Sequence, residues 1–240
     1  MNIKIFDTPE AIAPACADEF TSLLTSKEKC VLGLATGASP VPTYKELIKR
    51  YNEGIISFKH ATTFNLDEYV NLPRNDSNSY YTFMHENLFN YVDIDESNVH
   101  ILNGNAKDAD KECGDFDSAI ENEGGIDIQL LGIGTNGHIG FNEPNESFSD
   151  GTFKVKLTDS TIKSNSIYFT ESAMPRYALT MGINSIMKAK KILLIATGAS
   201  KAEAIKKTVQ GEITPLCPAS ILQKHPDVTL FLDKAAASLL

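Results

Sequence analysis

Short apolar runs alternate with stretches of helical periodicity along this chain, and that alternation restricts its fold more than any other feature. The runs fall at 30–35 (CVLGLA), 62–66 (TTFNL), 126–131 (IDIQLL), 191–196 (KILLIA) and 228–232 (VTLFL). Between them, apolar residues recur at helix spacing over 9–24, 41–52, 77–91, 109–122, 175–187 and 201–209. Pro42 and Pro175 stand where first-turn prolines belong. Strands separated by helices require crossover connections, so an α/β fold around a mainly parallel sheet is expected. In such sheets ligands bind beyond the carboxyl ends of the strands. No internal repeat, low-complexity tract or linker-like break interrupts the 240 residues, and a single domain over 1–240 is expected. The irregular stretch 142–156 is longer than an ordinary connection, which suits a lid or an active-site loop.

A net charge of −9 counts against general nucleic-acid or membrane-surface binding, which relies on basic patches. It leaves room for an anionic small molecule, because a pocket can be locally positive in an acidic protein. Cys16, Cys30, Cys113 and Cys217 are far apart with no CxxC, as expected of free thiols in a reducing cytosol. His60, His85, His100, His138 and His225 form no HxH or HExxH pair, so no metal is expected. The opening MNIKIFDTPE lacks a signal-peptide core, and no apolar run is long enough to span a bilayer. These features lead to the expectation of a cytoplasmic protein.

The chemistry gathers where the expected strands end. Residues 130–144 read LLGIGTNGHIGFNEP: an apolar run, then Gly132, Gly134 and Gly137, then His138 and Glu143. Glycines at a strand end let backbone approach a small ligand, and a histidine there is suited to moving protons near neutral pH. The same glycines spell GxGxxG, but Asn142, Glu143 and Pro144 follow where a dinucleotide site needs a long helix, so no such cofactor is expected. After the first run come Thr36, Gly37, Ala38 and Ser39, small residues that open onto a helix and can cradle a phosphate; Ser39 could equally serve as a helix cap. A similar turn at 197–200 leads to Lys201, whose cation in a first helical turn opposes the helix dipole unless an anion is present. The second run leads into Asp67 and Glu68. Adjacent carboxylates diverge from an extended backbone, so one can enter a pocket as a general base or cap a helix while the other is held by structure.

Together, LATGASP at 34–40, FNLDEYVNLP at 64–73, SYYTFM at 79–84, the 130–144 string, Lys201 and PASILQKHPDVTLFLD at 218–233 resemble the glucosamine-6-phosphate deaminase family. The resemblance covers nearly the whole chain in order. 6-Phosphogluconolactonases share the glycine–histidine turn but lack the LDEY and FNEP elements.

This resemblance implies a Rossmann-like three-layer α/β/α fold and a cofactor-free, metal-free enzyme of amino-sugar and N-acetylglucosamine degradation. Its reaction would convert glucosamine 6-phosphate and water to fructose 6-phosphate and ammonia. By the same matching Asp67 is the catalytic base, and His138 opens the sugar ring with Glu143 and Asn136 beside it. Thr36, Gly37, Ala38, Ser39 and Lys201 would hold the phosphate. Some members carry aspartate where this chain has Asn136. Many have a phosphate-binding arginine where this chain has Ile167, a place that Lys163 or Arg176 would have to fill. Two alternatives stay open: a galactosamine-6-phosphate deaminase/isomerase, and a sugar-phosphate-sensing effector domain. Monomer and homo-oligomer are equally compatible with the sequence.

Overall fold

A computed structural model describes residues 1–166, 169 and 174–240. Among these the chain forms β1 (Asn2–Phe6), α1 (Ile12–Ser26), β2 (Cys30–Leu34), α2 (Val41–Asn52), β3 (Ala61–Asn65), β4 (Asp67–Tyr69) and α3 (Tyr80–Asn87). There follow β5 (Val99–His100), α4 (Ala109–Asn122), β6 (Ile128–Leu131), β7 (Phe153–Lys156) and α5 (Asp159–Asn165). The last elements are β8 (Tyr177–Thr180), α6 (Ile183–Met187), β9 (Lys191–Ala196), α7 (Ala202–Gln210) and β10 (Val228–Asp233). Among the described residues, seven strands pair in parallel in the order β1-β10-β9-β6-β2-β3-β5. A second, antiparallel sheet runs β4-β8-β7 beside it.

The inner strands are buried along almost their whole length, with only Lys191 at the start of β9 half-buried, because helices cover both faces. Successive side chains go to opposite faces. Leu32, Leu34 and Leu130 pack with Phe20, Tyr44, Leu47 and Met84 of α1, α2 and α3. Val31, Leu131 and Leu194 pack on the other side with Phe116 and Ile120 of α4 and Ile205 of α7. The result is a Rossmann-like three-layer α/β/α arrangement around a parallel sheet. A smaller cluster of Tyr69, Phe141, Leu157 and Ala178 lies at the second sheet.

Four local readings change. Residues 175–187 do not form one helix: Tyr177–Thr180 is a strand paired with β4 and β7, and only Ile183–Met187 is helical. The apolar spacing there suits either state, and long-range pairing decides it. Pro175 therefore precedes a strand, whereas Pro42 does lie in the first turn of α2. The stretch 142–156 is irregular only in its first part, since Phe153–Lys156 is β7. At 77–91 the helix proper is Tyr80–Asn87, capped by the Ser79 side chain on Thr82 N, and a separate 3-10 turn covers Phe89–Tyr91.

Candidate active site

The chain crosses the sheet in two directions from the β2–β6 pair: β3 and β5 lie to one side of it, and β9, β10 and β1 to the other. Such a reversal leaves a crevice beyond the carboxyl ends of the two strands. A cleft of about 340 Å³ occupies that place, bordered by Thr36, Asp67, Gly132, His138, Thr161 and Lys201 among others.

The wall after β2 is fixed from beneath. The Tyr44 hydroxyl accepts from Ala35 N at 3.2 Å and donates to Ala35 O at 2.5 Å, so α2 holds the start of the turn. Gly37 then takes φ +88°, a conformation that suits glycine. Ser39 does not cap α2: Pro40 is the N-cap, without a side-chain cap. Thr36, Gly37, Ala38 and Ser39 all border the cleft.

Opposite them, Asp233 accepts from Gly198 N at 3.0 Å and from Ala236 N at 2.7 Å. This pins the turn that carries Lys201. Lys201 ends the 3-10 turn Ala199–Lys201, at the start of α7, and its side chain borders the cleft half-buried. Burial lowers its proton affinity, the direction that a nearby anion would reverse.

The adjacent carboxylates of β4 divide as their backbone geometry requires. Glu68 accepts from Tyr69 N at 2.8 Å, Tyr80 N at 3.0 Å and Tyr81 N at 2.9 Å, so it satisfies the first amides of α3. Asp67 caps nothing. It is only 6% exposed and borders the cleft, and among the described residues no hydrogen bond reaches its carboxyl. Burial, reinforced by the charge of Glu68, pushes its pKa up to about 8.

His138 stands on the glycine-rich turn after β6, and its neighbours decide its tautomer. Asn136 Oδ1 accepts from His138 N at 3.2 Å, and Asn136 Nδ2 donates to Glu143 Oε2 at 2.6 Å. A backbone N–H can only donate and a carboxylate can only accept, so both ends of the amide are fixed. His138 Nδ1, 2.8 Å from Asn136 Oδ1 and 3.4 Å from Glu143 Oε2, must then carry a proton. The neutral ring keeps Nε2 as its proton acceptor. Burial works to raise the Glu143 pKa, but the hydrogen bond and charge of His138, with Thr161 and Asn136, hold it down at about 2. Glu143 therefore stays ionised behind the ring.

The three glycines do different work. A Cβ on Gly134 would lie 2.2 Å from His138 Cε1, so that glycine makes room for the ring. Gly137 takes φ +86° with Cys217 Sγ where its Cβ would go, while Gly132 leaves open space. Gly134→Ala is expected to keep the fold but displace the ring and lower kcat about a hundredfold, since misplacement by about 1 Å costs that much. Melting curves and turnover measured on the same preparation check this.

Thus Asp67, His138, Thr36–Ser39 and Lys201 come together from four separate segments of the chain, and Asn136 and Glu143 stand behind His138. Ile167 lies outside the described residues. Lys163 and Arg176 are exposed, and neither borders the cleft. Tyr80, Thr161 and Asn165 also line it, unannounced by the sequence except that Ser79 and Thr158 mark the helix starts nearby. Among the described residues no group of three His, Cys, Asp or Glu side chains could hold a metal, and no helix is long and apolar enough to cross a membrane.

Comparison with known proteins gives a consistent picture. Residues 7–231 match the family model of glucosamine-6-phosphate isomerases/6-phosphogluconolactonase. The chain is 51% identical to the glucosamine-6-phosphate deaminase of Alkaliphilus oremlandii and 54% identical to that of Clostridium novyi, with 100% of each chain covered in both cases. It superimposes on a solved monomeric glucosamine-6-phosphate deaminase with a TM-score of 0.97 at 43% identity, covering 100% of both chains. A 6-phosphogluconolactonase from Thermotoga maritima shares the fold at 19% identity, with a TM-score of 0.78 and coverage of 97% and 99%.

Proposed function

The chain belongs to the glucosamine-6-phosphate isomerase/6-phosphogluconolactonase family, and we propose that it is its deaminase, converting glucosamine 6-phosphate and water to fructose 6-phosphate and ammonia. The observation that carries this reading is the pairing of Asp67 with His138 across one cleft: a buried carboxyl with raised proton affinity faces a histidine held by an ionised glutamate.

Each group has a step. The turn Thr36–Ser39 and Lys201 take the 6-phosphate, which anchors the substrate away from its reacting carbons, so that remote binding energy positions C1 and C2. His138 accepts the O1 proton at Nε2 and returns it to the ring oxygen, giving the open-chain aldehyde. The imidazolium formed in passing is stabilised by Glu143, and Asn136 keeps the ring in register. Asp67 then takes the proton from C2. The C–H electron pair forms the C1–C2 double bond, the aldehyde oxygen takes the proton that the C2 ammonium gives up, and a neutral enolamine results. Asp67 delivers its proton to C1 as the nitrogen lone pair forms the C2 imine. Water adds to that imine and ammonia leaves. C1 is reduced and C2 oxidised by the same electron pair, so the balance closes without an outside oxidant, and the deamination is hydrolytic.

The decisive assay measures ammonia from glucosamine 6-phosphate and from its C4 epimer. The expected result is efficient release from the first and release at least tenfold slower from the second. Turnover confined to the epimer, or none with either, would overturn the assignment. Lys201→Met is expected to raise KM for the phosphorylated sugar by about 10- to 100-fold with a smaller change in kcat, the cost of about 1.4–2.7 kcal/mol of binding. A saturation curve checks it.

A further inference from the structure

Glu143 is held from two sides. Asn136 Nδ2 donates to Oε2, and the Thr161 hydroxyl donates to Oε1, with Thr158 Oγ1 3.3 Å from that same oxygen. Thr161 is buried, two residues into α5, and Asn165 lies four residues further along the same helix face. Asn165 Nδ2 donates to the Tyr69 hydroxyl at 2.9 Å. Tyr80 donates to that hydroxyl at 3.2 Å, and its own phenol lies beside the Thr36 side chain. One face of a short helix therefore touches the carboxylate behind His138 at one end. At the other it touches a pair of phenols that lead to the phosphate-binding turn.

We propose that Thr161 is a positioning residue for the proton shuttle: its hydroxyl fixes the rotation of the Glu143 carboxylate, so that Oε2 stays on Asn136 and beside His138 Nδ1. Asn165, docked on Tyr69, holds α5 in the register that delivers this hydroxyl. Without the Thr161 donor, Oε1 keeps only the longer contact from Thr158 Oγ1 at 3.3 Å, and the carboxylate turns about its terminal torsion, which is broad and two-fold. Its two oxygens then compete for the Asn136 amide, and the ring loses its fixed orientation. Thr158 caps the helix by accepting from Thr161 N at 3.3 Å, a bond that a change at the Thr161 side chain leaves in place; the Thr158 hydroxyl also lies 3.1 Å from Thr161 Oγ1, and serine keeps that contact.

The inference rests on the deaminase reading, and its test separates the two. Parent, Thr161→Val and Thr161→Ser proteins are compared in ammonia release from glucosamine 6-phosphate. Valine keeps the shape and removes the donor, whereas serine restores it. The expected result is a kcat about tenfold lower in Thr161→Val, KM within about twofold of the parent, and Thr161→Ser within about threefold in kcat. The resting protein gives a second readout that needs no turnover. The nitrogen-bound Nδ1 proton of His138 should be seen by NMR in the parent and the serine variant, and be broadened or lost in the valine variant. A Thr161→Val with kcat within threefold of the parent, a serine variant as impaired as the valine, or an unchanged Nδ1 proton signal would each overturn the role of Thr161. A parent that releases no ammonia would overturn the deaminase reading instead, and the NMR comparison would still judge Thr161.

Discussion

Asp67→Asn is expected to lower kcat at least about a thousandfold and at the same time to raise the melting temperature at neutral pH. The loss follows from chemistry: a positioned base contributes about 10²- to 10⁴-fold, and in the proposed mechanism this group moves the proton twice. The gain follows from burial. Asp67 sits in the cleft wall with its carboxyl unbonded among the described residues, and its pKa is pushed up to about 8 by burial and by Glu68. Between an unfolded value near 3.8 and that folded value, the native protein holds more protons than the unfolded chain. Stability contributed by this group is therefore complete below about pH 4 and lost progressively as pH rises to about 8. Asparagine does not titrate, so the parent's loss of stability over that window should flatten in the variant. Melting curves from pH 4 to 8 and ammonia assays on one preparation test both halves. The same shift predicts that kcat/KM, which reports the free enzyme, rises with pH towards about 8. In kcat the rise should come at lower pH, because the substrate's C2 ammonium favours the carboxylate.

His138→Gln should cost about 10²- to 10³-fold in kcat, with a different signature. Sugar rings open slowly unaided, so this variant retains a route that Asp67→Asn lacks. Ring opening then limits the rate, and substrate deuterated at C2 should react at nearly the rate of the unlabelled compound. In Asp67→Asn the residual rate is limited by breaking the C2–H bond, and deuterium should slow it severalfold. An equal isotope effect in the two variants would contradict the division of labour between histidine and aspartate.

How much of this could be read in advance depended on how local each cause was. The central sheet was legible because strands buried on both faces write continuous apolar runs, as at 126–131 and 191–196. β1 was not, since its edge position leaves it half-exposed and without such a run. β4, β5, β7 and β8 span only two to four residues, and pairing with distant partners makes them strands. In the site, Asp67, His138 and the 36–39 turn stood out because glycines and polar residues interrupt apolar strand ends. The split between Asp67 and Glu68 was legible as geometry, but which one entered the pocket depended on α3, twelve residues away. Thr161 could not be found that way. Two residues into a helix behind Thr158 it looks like part of a cap, and its tie to Glu143 spans eighteen residues.

The claim that one carboxyl carries the proton from C2 to C1 has a direct test. Glucosamine 6-phosphate is turned over in deuterium oxide, and the C1 hydrogens of the fructose 6-phosphate are assigned by NMR. A single group acting from one wall of the cleft predicts at most one deuterium, on one face of C1, with part of the product carrying none because the C2 proton was passed on. Deuterium spread over both faces of C1 would mean that the enolamine is protonated from solution, and would contradict the role of Asp67 as the carrier of that proton.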